Sequence, residues 1–490
     1  MDSARTGGAG DPISAHVWRT SAVVVIGSIM SILDTTIVNV ALDTLSRELH
    51  STIAEIQWVV TGYMLSLAAV IPVSGWAARR FGAKQVYLVS VILFTLGSAL
   101  CGLATSTTEL ILFRVLQGIG GGMILPVGQL MMAEAAGPKR MGRVMSIVAV
   151  PAMLAPILGP TIGGLIIQNT SWRWIFYVNV PIGVIAVVTA LRYLPTIKPE
   201  KTDKLDVRGL ILMATGLPLI TYGLAEIGVT GSFTSAKVIV PIILGIVLVA
   251  VFVLHALKIP KPLLDMRLYR RPTFASASFA MFCLGAALFG GMILLPLYWQ
   301  GVRLESVVDT GLLVAPQGLG AAFAMPIAGK LSDRYGGGGL ALFGVTLCTV
   351  ATIPFGLIGA HTSIVWLSVW MFVRGIGIGF GFLPAMTAAF ASLERSELSS
   401  ATPQLNVLQR VGGSIGTAVL AVVLQRALTG AHTPSAEAAA YGTAFWFSAG
   451  MTALAIIPCV ILMRAERKAR ARKGSATPPS EETVAEAMAA

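Results

Sequence analysis

The chain has 490 residues, 55% of them hydrophobic and only 12% charged, with a mean hydropathy of +0.80 and a formal charge of +12. Soluble proteins carry about 25% charged residues, so a soluble globular class is excluded. Apolar runs recur along almost the whole chain, each near the ~20 residues needed to cross a ~30 Å hydrocarbon core, which reads as a polytopic helical membrane protein rather than a barrel of alternating ~10-residue segments.

In chain order the expected helices number fourteen, at about 21–43, 55–78, 84–104, 108–133, 143–168, 173–194, 207–228, 235–258, 273–299, 308–332, 338–360, 364–391, 402–430 and 440–464. The first run is expected to stay in the protein, because it is long, holds Asp34 and lacks a small-residue cleavage pattern. Cys101, Cys283, Cys348 and Cys459 fall inside runs without metal-like spacing and read as packing residues. Of the 35 Lys and Arg residues, 27 fall on the side of the two termini, and only Arg47, Arg173, Lys237, Arg303 and Arg426 on the other. That bias places both termini in the cytoplasm and argues against nucleic acid as the reason for the positive charge. Arg114, Arg374 and Arg410 lie within spans. The basic cluster from Arg464 to Lys473 reads either as a contact for anionic lipid head groups or as an ordinary topogenic flank.

Asp34 stands in the middle of the first run, in Leu33-Asp34-Thr35-Thr36-Ile37-Val38-Asn39. A carboxylate at membrane depth marks an ion path, a proton relay or a ligand contact, or else is simply satisfied inside the bundle. The turn after the second helix, Gly75-Trp76-Ala77-Ala78-Arg79-Arg80-Phe81-Gly82-Ala83-Lys84, is echoed after the tenth by Gly329-Lys330-Leu331-Ser332-Asp333-Arg334-Tyr335-Gly336. Arg114 of the fourth span likewise has a counterpart in Arg374 of the twelfth. Paired halves of this kind mark secondary transporters. The domain organisation is then a cytoplasmic N-terminus (1–20), an N-terminal six-helix bundle (21–194), a linker with two inserted helices (195–272, helices at about 207–228 and 235–258), a C-terminal six-helix bundle (273–464) and a disordered cytoplasmic tail (465–490).

These motifs resemble the major facilitator superfamily, specifically its fourteen-span drug/proton antiporter branch, from about Leu33 to Leu424. The Asp34 segment is similar to that branch's first-helix motif, and Gln57-Trp58-Val59-Val60-Thr61-Gly62-Tyr63-Met64-Leu65 to its second-helix signature. Gly75 to Lys84 resembles the superfamily's loop motif, and Arg114-Val115-Leu116-Gln117-Gly118 its fourth-helix motif. Gly159-Pro160-Thr161-Ile162-Gly163-Gly164 is similar to the fifth-helix antiporter motif, and Trp172 to Gly183 to the start of helix six. The resemblance implies the major facilitator fold, an all-α membrane protein of two six-helix bundles plus two inserted helices. It further implies gating loops at Gly75, Arg79, Arg80, Gly82, Lys84, Gly329, Asp333, Arg334 and Gly336. One departure stands out: Arg79 occupies the place where the loop motif usually has Asp, so the first-half latch is expected to be weaker or to use another acid, such as Glu134 or Glu394.

Helix rise alone puts Asp34 roughly 20 Å above the cytoplasmic face and Arg114 about 9 Å below the outer one, so the two charges share a level. Burial and the guanidinium act on the Asp34 proton in opposite senses, which suits a proton carrier, with a permanent structural ion pair as the alternative. Gln117, Thr35 and Asn39 either line a cavity or bond between helices. Glu226 either binds a cation or faces water at its helix end. Met30, Trp58, Tyr63, Met123, Phe282, Phe289, Met292, Tyr298 and Trp299 either furnish an adaptable apolar cavity or pack helices and face lipid. The runs Gly118–Gly122 and Gly375–Gly381 lie inside spans with no strand before them, so they read as small-residue helix contacts and not nucleotide loops. Pro151, Pro156 and Pro160 should kink the fifth helix.

The leading expectation is a proton-coupled antiporter that exports lipophilic, cationic drugs or dyes by alternating access. An exporter dedicated to one endogenous metabolite, lipid, siderophore or antibiotic is the alternative. No cofactor or metal is expected; the partners are the lipophilic substrate, protons and membrane lipids, and the chain acts as a monomer. A membrane enzyme would need a His, Cys or carboxylate constellation, yet the five histidines lie at helix ends or in loops. The Ala-, Gly- and Arg-rich composition hints at a bacterium and so at its inner membrane.

Overall fold

The computed structural model describes residues 14–137, 140–196, 204–231 and 233–474. Most of the predicted N-terminal segment and the end of the predicted tail lie outside the described residues. Among the described residues there is no strand. Thirteen helices are long and apolar enough to cross a membrane, and a bent pair makes the fourteenth. They are α1 (Ala15–Glu48), α2 (Trp58–Phe81), α3 (Ala83–Leu103), α4 (Thr107–Ala136), α5 (Met141–Asn169), α6 (Trp174–Tyr193), α7 (Val207–Thr230), α8 (Ala236–Lys258), α9 (Pro272–Gly301), α10 (Val307–Tyr335), α11 (Gly337–Leu357), α12 (Ile364–Ala391), α13 (Arg395–Leu428) and α14 (Pro434–Ala469). In α5 the two segments Met141–Ala155 and Leu158–Asn169 meet at 43°, in the proline-containing stretch where a kink was expected.

The helices outrun the apolar segments that predict them, because a helix can continue into water wherever its residues favour it. Ser14, Ser106, Ser306, Ser363 and Thr433 each cap a helix by accepting a backbone N–H with the side chain. Glu394 and Glu397 close a capping box that starts α13 seven residues before the apolar run. The last helix runs on to Gly474, where the polar composition suggested disorder from residue 465; its Ala-, Arg- and Lys-rich sequence is made of strong helix formers. Glu466 fastens that extension by accepting from the Gly337 and Gly338 amides at 3.1 and 2.7 Å, at the positive end of α11.

Helix packing repeats with a step of eight. In the first half α1 packs on α5, α4 and α6, α2 on α4, and α3 on α4 and α6; in the second half α9 packs on α13, α12 and α14, α10 on α12, and α11 on α12 and α14. Between the halves, α5 packs on α10 and α12, and α13 on α4 and on the end of α2. The pair α7–α8 forms a hairpin whose first helix rests against α2 and α13, while Val240, Ile243, Ile246, Val247 and Leu254 of α8 face outward, as a lipid-exposed helix should.

Asp206 ties the hairpin's two ends together. Its carboxylate accepts from Gly209 N at 2.9 Å and Leu263 N at 3.2 Å and pairs with His255 Nε2 at 2.9 Å. Burial pushes its pKa up, but these partners outweigh burial and hold it below the ordinary carboxylate value. A folded pKa below the unfolded one contributes stability above about pH 3.9 that is lost as pH falls through the lower folded value. Protection of the Gly209 amide against hydrogen exchange is therefore expected to hold from pH 7 to 5 and to fall below pH 4, with no such step in Asp206→Ala.

Candidate functional site

Asp34 and Arg114 meet in the middle of the first half. Arg114 Nη1 donates to Asp34 Oδ2 at 2.6 Å, with the two side chains 1% and 0% exposed. Gln117 Nε2 and Asn179 Nδ2 both donate to Asp34 Oδ1 at 2.9 Å, so three helices (α1, α4 and α6) meet at one carboxylate. Arg114 is itself held by the Val59 carbonyl at 3.2 Å and by Gln117 Oε1 at 2.7 Å, and its guanidinium lies 4.0 Å over the Tyr63 ring. Asn179 also donates to Ser98 Oγ, which passes the chain on to the Phe176 carbonyl. Three N–H donors and no acceptor face Asp34, an arrangement that suits the ionised form. Adding a proton would remove the charge that these donors face and weaken their hold on the carboxyl group.

Asn179 and Ser98 were not singled out from the sequence. Asn179 carried a usable signal, an amide inside an apolar run, whereas Ser98 in a small-residue helix carried none. The second half repeats the arginine without the acid. Arg374 is fully buried and donates to Gln317 Oε1, to Thr352 Oγ1 at 3.2 Å and to the Ala287 carbonyl at 3.4 Å. Ala287 of α9 thus stands where the first half has Asp34 of α1.

At the end of the bundle that bears most of the basic residues, the two halves touch closely. Gly75 of α2 lies so near α13 that a Cβ there would overlap the Ser399 carbonyl, and Arg79 donates to Ser399 Oγ. Gly142 of α5 and Gly329 of α10 approach backbone to backbone. Asp333 accepts from Gly142 N at 2.7 Å and Arg143 N at 3.2 Å and pairs with Arg143 Nε at 3.4 Å. An acid at the start of α5 is favoured by the exposed amides there; the first half offers Arg79 to the start of α13 instead, next to Glu394 and Glu397. Glu394 caps its own helix. Asn406 Nδ2 adds a bond to Gln129 Oε1 across the halves at 2.7 Å.

The other predicted loop residues divide. Gly82 and Gly336 take φ of 88° and 93°, conformations that favour glycine. Lys84 donates to the Leu191 and Leu194 carbonyls at the end of α6, within the first half. Arg80 and Arg334 are exposed, the latter over the Tyr335 ring at 5.1 Å. In α5, a Cβ on Gly159 would overlap Thr36 Oγ1 of α1, Gly163 sits against Ile37, and Gly164 faces Val308 of α10, with Pro160 half-buried between them.

The predicted cavity residues do not form one lining. Gln117 and Tyr63 are fully buried in the Asp34 network. Asn39 is exposed and bonds only its own helix, at Thr35 O. Trp58 is 42% exposed and stacks on Tyr222 of α7 with ring centres 5.7 Å apart. Met123 is half-buried against the first-half core, Phe289 flanks Gly413 of α13, Met292 packs near Cys348 and Ile378, and Glu226 is half-buried near the end of α7.

Comparison with known proteins is consistent with this architecture. The family model described as Major Facilitator Superfamily matches residues 24–417. A protein named "Multidrug resistance protein B homolog" from Mycobacterium tuberculosis is 40% identical over 417 residues, covering 84% of this chain and 77% of that one. The "Lincomycin resistance protein LmrB" of Bacillus subtilis is 30% identical over 390 residues, covering 79% and 81%. Among solved structures, the proton:xylose symporter XylE aligns with a TM-score of 0.61 over 91% of this chain and 95% of that one, at 13% identity, which speaks for the fold alone.

Proposed function

The chain belongs to the Major Facilitator Superfamily, and we propose that it works as a proton-driven antiporter exporting lipophilic small molecules, organic cations among them. The observation that carries this reading is the enclosed Asp34–Arg114–Gln117–Asn179 network in the middle of the first half, which is costly to build in a membrane protein. In the proposed cycle the basic end faces the cytoplasm of a bacterial cell, and a monomer alternates between closure there and closure at the opposite face. Asp34 takes up a proton when the outer side is open; its negative charge vanishes, Arg114 and the two amides loosen, and the halves rock. Release of that proton inside restores the network seen here. The relatives named for multidrug and lincomycin resistance support a drug as the exported compound. Aromatic faces such as Trp58 and Tyr222 would favour organic cations among them.

The test is efflux of ethidium from preloaded cells. Wild-type cells are expected to export it, a protonophore to stop them, and Asp34→Asn to cut the rate at least 100-fold, since a side chain that cannot cycle a proton cannot couple. Asp34→Asn retaining protonophore-sensitive efflux would remove Asp34 from the coupling path. Efflux in wild-type cells that ignores the protonophore would remove proton drive. If ethidium stays while one endogenous compound is exported, the dedicated exporter replaces the broad one.

A further inference from the structure

Arg374 of α12 carries a charge that the second half does not answer. Its side chain is 0% exposed, and its three hydrogen-bond partners, Gln317 Oε1, Thr352 Oγ1 and the Ala287 carbonyl, are all neutral. Among the described residues no carboxylate pairs with it. A guanidinium does not give up its proton, and a charge buried away from water is costly unless another charge compensates it. Gly291 of α9 keeps the group tight against that helix, since a Cβ there would overlap Arg374 Nη2.

A cavity of about 10 Å3 lies beside this guanidinium, lined by Ala287 and Leu288 of α9, Cys348 of α11, and Arg374, Ile378 and Phe382 of α12. That is room for one water-sized or monatomic species. The repeat of the fold shows what such a niche takes. Helices α9, α11 and α12 correspond to α1, α3 and α4, where Arg114 meets Asp34 at 2.6 Å. The cysteine of the third helix is repeated as well: Cys101 of α3 reaches Gln117 Oε1 at 3.7 Å, and Cys348 of α11 forms part of the cavity wall. Only the acid is not repeated. Ala287 stands in its place, with the cavity against it.

We propose that this cavity binds a single monatomic anion, chloride in a cell, as the counter-charge of Arg374. Three of the five guanidinium N–H groups go to neutral acceptors, which leaves two for the ion. The Cys348 thiol adds a weak donor, and the aliphatic and aromatic walls keep water out, so the attraction between the two charges acts at low dielectric. The size of the space excludes phosphate, sulfate and carboxylates. The ion sits inside the second half, among α9, α11 and α12, and is a resident part of the fold rather than cargo. It makes the stability of that half depend on chloride, where the first half carries its own acid in Asp34. The inference stands apart from the exporter reading and survives or fails without it.

The test uses the full chain in phosphatidylcholine nanodiscs and radiolabelled chloride. Wild type is expected to bind the label saturably at one ion per chain, with bromide competing and sulfate and gluconate not. Exchanging gluconate for chloride at constant ionic strength should raise the unfolding midpoint by about 3 °C. Arg374→Gln should weaken chloride binding roughly tenfold or more and erase that shift. Ala287→Asp is the second variant, because it sets a carboxylate beside Arg374 as Asp34 stands beside Arg114. It should also lose chloride binding, yet unfold no lower than wild type does in gluconate, which shows that it is folded. Wild-type protein without saturable chloride binding would overturn the proposal and leave the cavity to water. A folded Ala287→Asp or Arg374→Gln variant that binds chloride as tightly as wild type would overturn it as well, by placing the ion elsewhere in the chain.

Discussion

Replacing Arg114 by alanine is expected to destabilise the protein by about 3–5 kcal/mol, the usual cost of leaving one member of a buried ion pair alone. Asp34 would keep Gln117 and Asn179 as donors but lose its only counter-charge in a site that excludes water. The loss should be largely repaired by adding Asn at Asp34, because a neutral amide in that place needs no cation. Thermal unfolding in detergent is the measurement: Arg114→Ala should unfold many degrees below wild type, and Asp34→Asn/Arg114→Ala should recover most of the difference. Proton-driven efflux should be absent from both. Such a split separates the pair's structural contribution from its proposed role in coupling. If the double variant is no more stable than Arg114→Ala alone, Asp34 is not the reason Arg114 is needed, and the stacking on Tyr63 and the bond to Val59 carry the stability instead.

How much of this was legible beforehand follows from what a linear pattern can encode. Spans were readable because hydrocarbon thickness imposes a length on apolar runs, but their ends were not, since caps such as Glu394–Glu397 and tertiary anchors such as Glu466 lie in polar sequence. The Asp34–Arg114 pair was readable because two charges in apolar runs have few places to go, and the rise per residue put them at one depth. Asn179 was missed as the third donor because an amide in a span is a weaker signal than a charge. The cavity was the least legible part. Trp58, Asn39, Phe289 and Met292 have the right chemistry, but which face of a helix meets a neighbour, lipid or space depends on the rotation of each helix. The absence of acid at Arg79 was visible, but not its physical consequence: the first-half contact runs through glycine packing and Ser399, while the second half keeps a carboxylate on the start of α5.

That difference makes glycine the critical residue at the first-half contact, so Gly75→Leu is expected to have the largest effect on transport of any change at the basic end. Even a methyl group at residue 75 would overlap the Ser399 carbonyl of α13, and neither element can retreat cheaply, because Ser74 and Thr402 beside it are buried too. Closure of this end would then be prevented while each half kept its own core. A two-state transporter that cannot visit one state cannot cycle, and removing about 5.5 kcal/mol of preference is enough to turn a 99:1 population into 1:99. Efflux is therefore expected to fall at least 100-fold. A cysteine at Thr402, 1% exposed in the closed form, should react quickly with a maleimide in the Gly75→Leu background and slowly in the parent, with the four native cysteines replaced. Gly339 is the control, since it is exposed and a Cβ there meets nothing within 4 Å, and Gly339→Leu should leave both efflux and labelling unchanged. A Gly75→Leu protein that still exports at the parental rate would mean the α2–α13 contact need not close during transport, and the α5–α10 contact held by Asp333 would then be the gate.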